Sequence, residues 1–486
     1  MPHATVPPAP GITPLLGHLV PFLRAPLPFL RSLASHGDLV ELRLAGQRMT
    51  FVCDADLTRR LLVNDRVFDK GGPIYDRLRE AGGNGIATCP AHEHRRQRRL
   101  IQPAFRTERF PGYARIMSER MDTVIRGLRP DSVVDLTRET RRITADILIS
   151  TVFGTEVSPS AHARLAADLK EFTDGILRRA LLPEALLWLP TPGNMRFLRA
   201  SRRSRRVMLD LIHRHRADPA ADRTGLLSML IDARDPDSKQ QTFTDEEIAD
   251  QAVTFYVAGT ETTAGAVCWA VYLAALHPDV HRQLTREARE VLGGRTATWE
   301  DLDRLVCTRQ TLTEALRMYP PGWILTRRVM TPTRLGDHDL PAGTTVAFSP
   351  YLATHEPSRY PDPDRFDPDR WAPGKEGTPP PVPPVVFGGG ARKCIGDEFA
   401  VLEGTLLLAS LTSHWDLRLQ ADSLGLPRLP HLTLNPGRMN ARVQRHGATG
   451  VTGATAPERS LQEAESESEP DLDPTPRSGR EGEPRR

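Results

Sequence analysis

Hydrophobic and polar positions change period along the chain. Between about 36 and 60 the pattern is strand-like. Leu39-Val40-Glu41-Leu42-Arg43-Leu44 alternates in part, Ala45-Gly46 supplies a turn, and Met49-Thr50-Phe51-Val52 returns, which predicts a β-hairpin. Residues 70–90 are Gly-rich and read as a long loop, a feature that in a compact domain is usually functional or mobile. Residues 108–233 carry several apolar-periodic stretches with few strand signals. Thr244-Asp245-Glu246-Glu247 is a capping-box sequence, and no proline follows until Pro278. That predicts a helix of about 33 residues, about 50 Å long. Its centre, Val253 to Leu276, is apolar on nearly every side and belongs inside the core. Helices follow over 279–292, closed by Gly293-Gly294, and over Asp301–Met318, stopped by Pro320-Pro321. Short strand signals return near 323–348. The fold class is mainly α with a small β region and one helix long enough to cross the molecule, without internal repeats.

The 486 residues allow two to four ordinary domains or one large single-domain enzyme. Hydrophobic residues at 39% can bury a sizeable core, and 26% charged residues is close to the globular average, which excludes a wholly disordered chain. A net charge of +3 argues against a dedicated nucleic-acid binder. The 5 cysteines include no C-x-x-C pair, which excludes a disulfide scaffold and argues against a zinc ribbon. Sparse thiols suit a reducing cytoplasm. No apolar run is long enough to predict a transmembrane helix. The Pro-rich segment 1–14 lacks the basic and apolar regions of a signal peptide. From about Gly447 the composition turns to Gly, Thr, Ser, Glu and Pro, and 447–486 reads as a disordered, solvated tail.

The densest chemistry lies at Phe387-Gly388-Gly389-Gly390-Ala391-Arg392-Lys393-Cys394-Ile395-Gly396. A lone cysteine is ordinarily a buried small hydrophobe. Here three glycines let the backbone approach a bulky flat group, and Arg392 and Lys393 bring positive charge that favours thiolate. The apolar helix predicted from about Asp397 to Leu411 aims its N-terminus at the sulfur. The site reads as an anionic sulfur held against something planar. Its pattern, F-x-x-G-x-R-x-C-x-G, resembles the haem-thiolate signature of the cytochrome P-450 family at every fixed position. Three further motifs stand in that family's order and spacing, and the resemblance covers residues from about 10 to 445.

The resemblance implies the cytochrome P-450 fold, with a single haem-thiolate domain over 15–446. Haem b (iron protoporphyrin IX) is expected between the long helix and the Cys-bearing loop, with Cys394 on the iron and Phe387 and Gly388 against the ring. Ala258-Gly259-Thr260-Glu261-Thr262-Thr263 matches the family's groove over the haem. Small residues can simply ease helix packing, but an acid followed by a hydroxyl is unfavourable in an apolar helix unless used. Thr262 can also bond the Ala258 carbonyl four residues back. The resemblance makes Glu261 and Thr262 the acid–alcohol pair that organises protons for O–O cleavage.

Glu314-Ala315-Leu316-Arg317 is by itself an ordinary i, i+3 pair. The resemblance joins Glu314 and Arg317 to Arg365, within Pro361-Asp362-Pro363-Asp364-Arg365-Phe366, as a buried triad behind the haem that fixes geometry more than it adds stability. In His94-Arg95-Arg96-Gln97-Arg98-Arg99, His94 stands where the family often has Trp. His94 and Arg98 fall on one helix face and are expected to contact the haem propionates, together with Arg392 and Arg328; Arg327, beside Arg328, could serve instead. Arg95, Arg96 and Arg99 could face an acidic electron donor or be solvated.

The implied reaction is monooxygenation, one atom of O2 entering a small apolar substrate and the other becoming water. No G-x-G-x-x-G follows a strand and no iron–sulfur cysteine spacing appears. Electrons are therefore expected from a separate ferredoxin and ferredoxin reductase, and the protein is expected to be a cytoplasmic monomer without a membrane anchor or nucleic-acid partner. The loop 71–89 and residues 254–262 and 321–326 should line the substrate side, with Ile74, Ile86, Phe255, Ala258, Ile324 and Leu325 as candidates. These apolar residues suit a compact hydrocarbon-like molecule. Pro14-Leu15-Leu16-Gly17-His18, the stretch from His94 to Phe105, and Trp323-Ile324-Leu325-Thr326-Arg327-Arg328 are similar to actinobacterial sesquiterpene oxidases. That implies terpenoid oxidation in secondary metabolism, with fatty acids and macrolides as alternative substrates. Two rival activities use the same motifs: a peroxide-driven haem-thiolate enzyme, and a non-catalytic haem- or lipophile-binding protein.

Overall fold

The computed structural model describes residues 6–153, 159–218, 225–234, 242–372, 384–424 and 431–446. The chain divides into two units, Met1–Gly447 and Ala448–Arg486. The fold is that of the first; the tail predicted over 447–486 lies outside the described residues.

The hairpin forms as β1 (Leu39–Leu44) and β2 (Gln47–Val52), antiparallel with Leu39 opposite Val52 and Leu44 opposite Gln47. Its turn holds Ala45 at φ 48° and Gly46 at φ 86°, the left-handed pair that matches strand twist. Pro7 and Ala9, in the Pro-rich N-terminal segment, exchange backbone hydrogen bonds with Glu41 of β1 (2.7 and 2.9 Å). β3 (Phe68–Asp69) also joins this sheet. A small sheet holds β4 (Val133–Asp135). The strand signals near 323–348 resolve into β5 (Leu325–Val329), β6 (Thr333–Leu335), β7 (His338–Leu340) and β8 (Thr345–Phe348). With β9 (Asp416–Leu419) and β10 (Asn440–Gln444), the sheets run β1-β2-β8-β5-β3, β4-β10-β9 and β6-β7.

The helices that position the site are α1 (Pro73–Gly82), α2 (Ala91–Ile101), α3 (Leu136–Phe153), α4 (Pro159–Ala180), α5 (Pro192–Ala217), α6 (Asp245–Leu276), α7 (Pro278–Leu292), α8 (Val306–Met318) and α9 (Asp397–His414). Helix α1 replaces part of the loop expected over 70–90. Pro73 opens it, and Gly72 (φ 92°) and Gly83 (φ 75°) bracket it. The glycines that read as loop are the two ends of a short helix.

Helix α6 is the predicted rod, 32 residues long. Its capping box is closed: the Thr244 N–H donates to Glu247 Oε2 at 2.9 Å, and the Glu247 N–H to Thr244 Oγ1 at 3.2 Å. It packs against α3, α5, α8 and α9 and is buried through most of its length. Side chains lace it to α2. Arg96 donates to Glu247 at 2.8 Å, Gln251 Nε2 to Gln97 Oε1 at 2.9 Å, and the Ile86 N–H to Gln251 Oε1 at 2.8 Å. Helix α7 ends where expected, at Gly293 in the left-handed conformation. The helix predicted over Asp301–Met318 is split into a 3-10 turn, Trp299–Arg304, and α8. Asp301 is engaged by the Thr298 N–H at 2.9 Å and by Arg295 at 2.6 Å, so it caps the turn instead of starting the helix.

Candidate active site

A cavity of about 320 Å3 lies between α6 and the Cys-bearing loop, a size typical of small-molecule sites. One wall is the loop from Val386 to Gly396 with the first turns of α9. Cys394 is the thiol on that wall among the described residues. Its N–H donates to the Phe387 carbonyl at 2.8 Å, folding the loop back on itself. Phe387 and Gly388 line the same wall. Gly390 is required here: its φ is +61°, and a Cβ would stand 2.6 Å from the Leu62 carbonyl oxygen. Burial pushes the Cys394 thiol above its ordinary range, although the Gly396 N–H and the charges of Lys70 and Arg98 oppose this. The expected helpers act elsewhere. Arg392 is paired with Asp69, and Lys393 with Asp397.

The opposite wall is α6. Thr262 Oγ1 donates to the Ala258 carbonyl at 2.6 Å, the back-bond its spacing suggested, and both residues face the cavity. A Cβ on Gly259 would approach Leu148 of α3 to 2.5 Å, so close helix packing is also a use of this small-residue stretch. Glu261 turns away. Thr433 donates to its Oε2 at 3.2 Å and Arg141 lies 4.0 Å from its Oε1. Burial raises its pKa, with Arg141 acting in the other direction. The acid and the alcohol, adjacent in sequence, therefore sit on two sides of the cavity wall.

The edge of the cavity gathers basic side chains: Lys70, His94, Arg98, Arg327 and Arg392 all line it. Arg98 donates to the Lys393 carbonyl at 2.5 Å. His94 is held down to about 3, first by burial and then by Arg392, Lys70 and Arg98. The Lys70 ammonium is also lowered, mainly by burial, with Arg327 and Arg392 adding repulsion. The buried Arg392 Nε has no hydrogen-bond partner. Such a cluster is unfavourable until anions join it.

The sequence profile of the Cytochrome P450 family matches residues 7–440. This chain belongs to the cytochrome P450 family. It is 39% identical over 435 residues to pentalenene oxygenase of Streptomyces avermitilis, covering 90% of this chain and 96% of that one. It is 40% identical over 432 residues to cyclooctatin synthase of Streptomyces melanosporofaciens, covering 88% and 93%. It is 39% identical over 411 residues to cyclooctat-9-en-7-ol 5-monooxygenase of the same organism, covering 84% and 89%.

A cytochrome P450 is a haem b monooxygenase, and the cavity of this P450 fits that group. A thiol faces in from one wall, the facing helix carries Thr262, and the edge offers more cations than its one carboxylate, Asp69, can match, which suits the two carboxylates of the porphyrin. Lys70 is part of that edge and had no motif to announce it; its signal is burial without a carboxylate partner among the described residues.

Strand alternation corrects one assignment. Leu325 and Arg327 of β5 face the cavity, whereas Arg328 points to the other side of the sheet, as the two-residue period requires. There it packs on Gly71 and lies 3.6 Å from Asp76. Arg327, the alternative to Arg328, is the one of the two that lines the cavity. The same alternation removes Ile324 from the cavity wall. Ile74 is also off it, packed against the core one position before the cavity-lining Tyr75. Ile86, Phe255, Ala258 and Leu325 line the cavity as expected. Leu148 and Val152 of α3 and Leu226 line it too; their amphipathic helices showed no feature that marks a ligand wall.

The buried triad is also corrected. Arg317 donates to both Glu314 oxygens at 2.8 and 2.9 Å, and both side chains are 0% exposed. Arg317 also donates to the Thr354, Pro363 and Arg365 carbonyls. The Arg365 side chain is exposed and contributes only that carbonyl. The third member is Arg370, 3.5 Å from Glu314, and Trp371 Nε1 donates to the same carboxylate at 2.8 Å. Pro-Asp-Arg-aromatic occurs twice, at 363–366 and 368–371, and the second copy is the one used.

Glu403 of α9 was not foreseen. It is 0% exposed, lines the cavity, and neither carboxyl oxygen has a hydrogen-bond partner. Burial raises it to about 8, with the neighbouring Thr263 hydroxyl of α6 acting in the other direction.

Proposed function

We propose that this P450 oxygenates a terpenoid hydrocarbon, with Cys394 as the iron ligand. The observation that carries the reading is the cavity that sets Cys394 opposite the Thr262–Ala258 back-bond, beneath an apolar roof. Bound haem supplies the activation of O2 and the insertion of one oxygen atom into the substrate. The protein does the rest. The Cys394 sulfur holds the iron, and the Gly396 N–H moderates its charge. Lys70, His94, Arg98, Arg327 and Arg392 bind the two carboxylates. Thr262 Oγ1 holds a proton at the cavity face of α6, and Glu261, behind it with Arg141 and Thr433, replenishes that proton. Ile86, Leu148, Val152, Phe255 and Leu325 exclude water and present no charge to a substrate, which favours a hydrocarbon frame. The relatives whose names specify pentalenene and cyclooctat-9-en-7-ol support the terpenoid class. Electrons come from an acidic ferredoxin and its reductase, a reading supported by the exposed cations Arg95 of α2 and Lys393 beside Cys394.

The test is the optical spectrum of the purified protein, reduced under CO and then, as the oxidised protein, titrated with sesquiterpene hydrocarbons. A thiolate-type Soret band, lost in Cys394→Ala, and a spin-state shift on adding the terpene are expected. A band unchanged in Cys394→Ala overturns the ligand assignment. A thiolate band that responds to fatty acids and not to terpenes overturns the substrate class.

A further inference from the structure

The second turn of α9 carries an acid that packing does not require. From Phe399 to Ser413 the helix has a single ionisable side chain, Glu403. Glu403 lines the cavity with Thr263 and Ala266 of α6 and with Leu312 and Leu316 of α8. That side of the cavity is tightly closed. A Cβ on the neighbouring Gly404 would stand 2.7 Å from Leu312, so α8 and α9 touch there. Thr263 is the polar neighbour, 4% exposed, and its hydroxyl also lacks a hydrogen bond of ordinary geometry. A leucine would fill the space without burying a carboxyl that has no partner. An acid kept in such a place on a functional cavity points to a use in the chemistry.

The charges on the elements packed against α9 are committed elsewhere. On α6, Glu261 turns to Arg141 and Thr433. On α8, Glu314 and Arg317 hold each other. On α7, Glu287 accepts from the Cys307 and Thr308 N–H groups at 2.6 and 2.8 Å, His281 lies 3.4 Å from Asp416, and the arginines are exposed. In the turn Trp299–Arg304, Asp301 pairs with Arg295. In the helix Phe110–Arg126, Asp122 pairs with Arg126, and the Tyr113 hydroxyl donates to the Ala104 carbonyl at 2.9 Å. On the Cys-bearing loop, Arg392 pairs with Asp69 and Lys393 with Asp397, which leaves the Cys394 thiol on the shared cavity. Burial therefore governs Glu403 and raises it to about 8, opposed by the Thr263 hydroxyl.

We infer that Glu403 is a redox-linked proton acceptor, taking a proton onto a carboxylate oxygen when the iron held by Cys394 is reduced. The inference rests on the haem ligation proposed above. One electron from the ferredoxin takes iron(III) to iron(II). One proton leaves a bulk water, forms an O–H bond on Glu403 and leaves a hydroxide in the solvent. The Thr263 hydroxyl, the polar group beside Glu403 on the cavity, hands the proton across. The physical reason is charge. An electron entering a water-excluded cavity adds a negative charge there, and an ionised acid on the same cavity opposes it. Below about pH 8 the acid is already neutral, so the electron enters without a proton. Above that, electron and proton enter together.

The experiment is a spectroelectrochemical titration of the haem-loaded full-length chain from neutral to alkaline pH, with proton uptake on reduction read by a pH dye in weak buffer. The midpoint potential should be flat up to about pH 8 and fall above it. On the slope the reduced fraction at fixed potential drops up to tenfold per pH unit, about 59 mV for one electron, and the dye reports proton uptake that is absent on the plateau. Glu403→Gln should abolish both slope and uptake. Thr263→Val removes the hydroxyl that favours the ionised acid and should move the break to higher pH. Infrared difference spectra of the unaltered protein give a reading that needs no variant: reduction at alkaline pH should raise the carbonyl band of a protonated carboxylic acid. A slope and proton uptake unchanged in Glu403→Gln, a potential flat throughout in the unaltered protein, or a difference spectrum without the acid band each overturn the inference. The CO spectrum of the same samples reports Cys394 ligation separately. A thiolate band with no pH slope overturns the role of Glu403 alone, whereas a missing thiolate band overturns the ligation reading and the inference with it.

Discussion

Two buried charge clusters in this P450 are built on opposite terms. Around Glu314 every charge is answered: Arg317 makes two hydrogen bonds to it, Trp371 and the Asp367 N–H add two more, and Arg370 stands alongside. At the cavity edge Lys70, Arg98, Arg327 and Arg392 crowd round a neutral His94, and the one buried carboxylate among them, Asp69, is paired with Arg392. Glu403, on the same cavity, makes no hydrogen bond of ordinary geometry at either oxygen and has only the Thr263 hydroxyl near it. A cluster complete in itself is architecture. One that is incomplete in a well-packed chain is a mould for something else, since burying unmatched charge is unfavourable by several kcal/mol.

The largest effect that would break this contrast lies in the complete cluster. Glu314→Gln leaves Arg317 buried without its anion and should destabilise the protein by about 3–5 kcal/mol in urea unfolding. Arg370→Gln should follow at a smaller loss, and Arg365→Gln should stay within about 0.5 kcal/mol, as for an exposed side chain. A loss at Arg365 comparable to Glu314 would restore Arg365 to the triad.

Glu403→Gln should act in the opposite direction. The folded state holds the Glu403 proton up to about pH 8, against an unperturbed value of 4.5. The pH-dependent part of its burial cost is therefore zero below pH 4.5. Stability then declines by up to about 1.4 kcal/mol per pH unit as pH rises toward 8, and levels off above it. The glutamine variant lacks this loss, so its advantage in chemical unfolding should be near zero at pH 4.5 and largest at pH 8. An advantage independent of pH would show that Glu403 is ionised or solvated throughout.

Lys70→Met gives the smallest and most diagnostic effect. In the haem-free chain it removes repulsion and should raise stability by about 1 kcal/mol. In the loaded protein it removes a charged partner of the carboxylates and should weaken haem retention about tenfold, read as faster transfer to an acceptor protein. Opposite signs in the two states are expected; the same sign in both would make Lys70 an ordinary structural residue.

The sequence revealed most where meaning is local. The rod α6 follows from an unbroken apolar stretch and a four-residue capping box, and the Cys394 loop from glycines whose conformations only glycine tolerates. Features that depend on a distant partner were misread. Arg327 and Arg328 are chemically identical, and only the placement of β5 in its sheet decides which faces inward. Two copies of Pro-Asp-Arg-aromatic stand five residues apart, and the position of Glu314 selects between them. Gly72 and Gly83 read as loop because the helix between them owes its place to Tyr75 and Ala81, buried against the rest of the chain. Lys70 and Glu403 had no pattern at all, since their distinction is an environment assembled from several elements.

Glu247 closes the first turn of α6 and also receives Arg96 of α2, while Gln251, one turn on, is bonded to Gln97. Those side-chain bonds join segments 151 and 154 positions apart. The start of the rod and the helix that carries His94 and Arg98 therefore open and close as one cooperative unit. Amide hydrogens in both should exchange at one shared rate, and that rate should slow when carboxylates bind at His94 and Arg98, so the far end of the longest helix senses whether the cavity edge is satisfied.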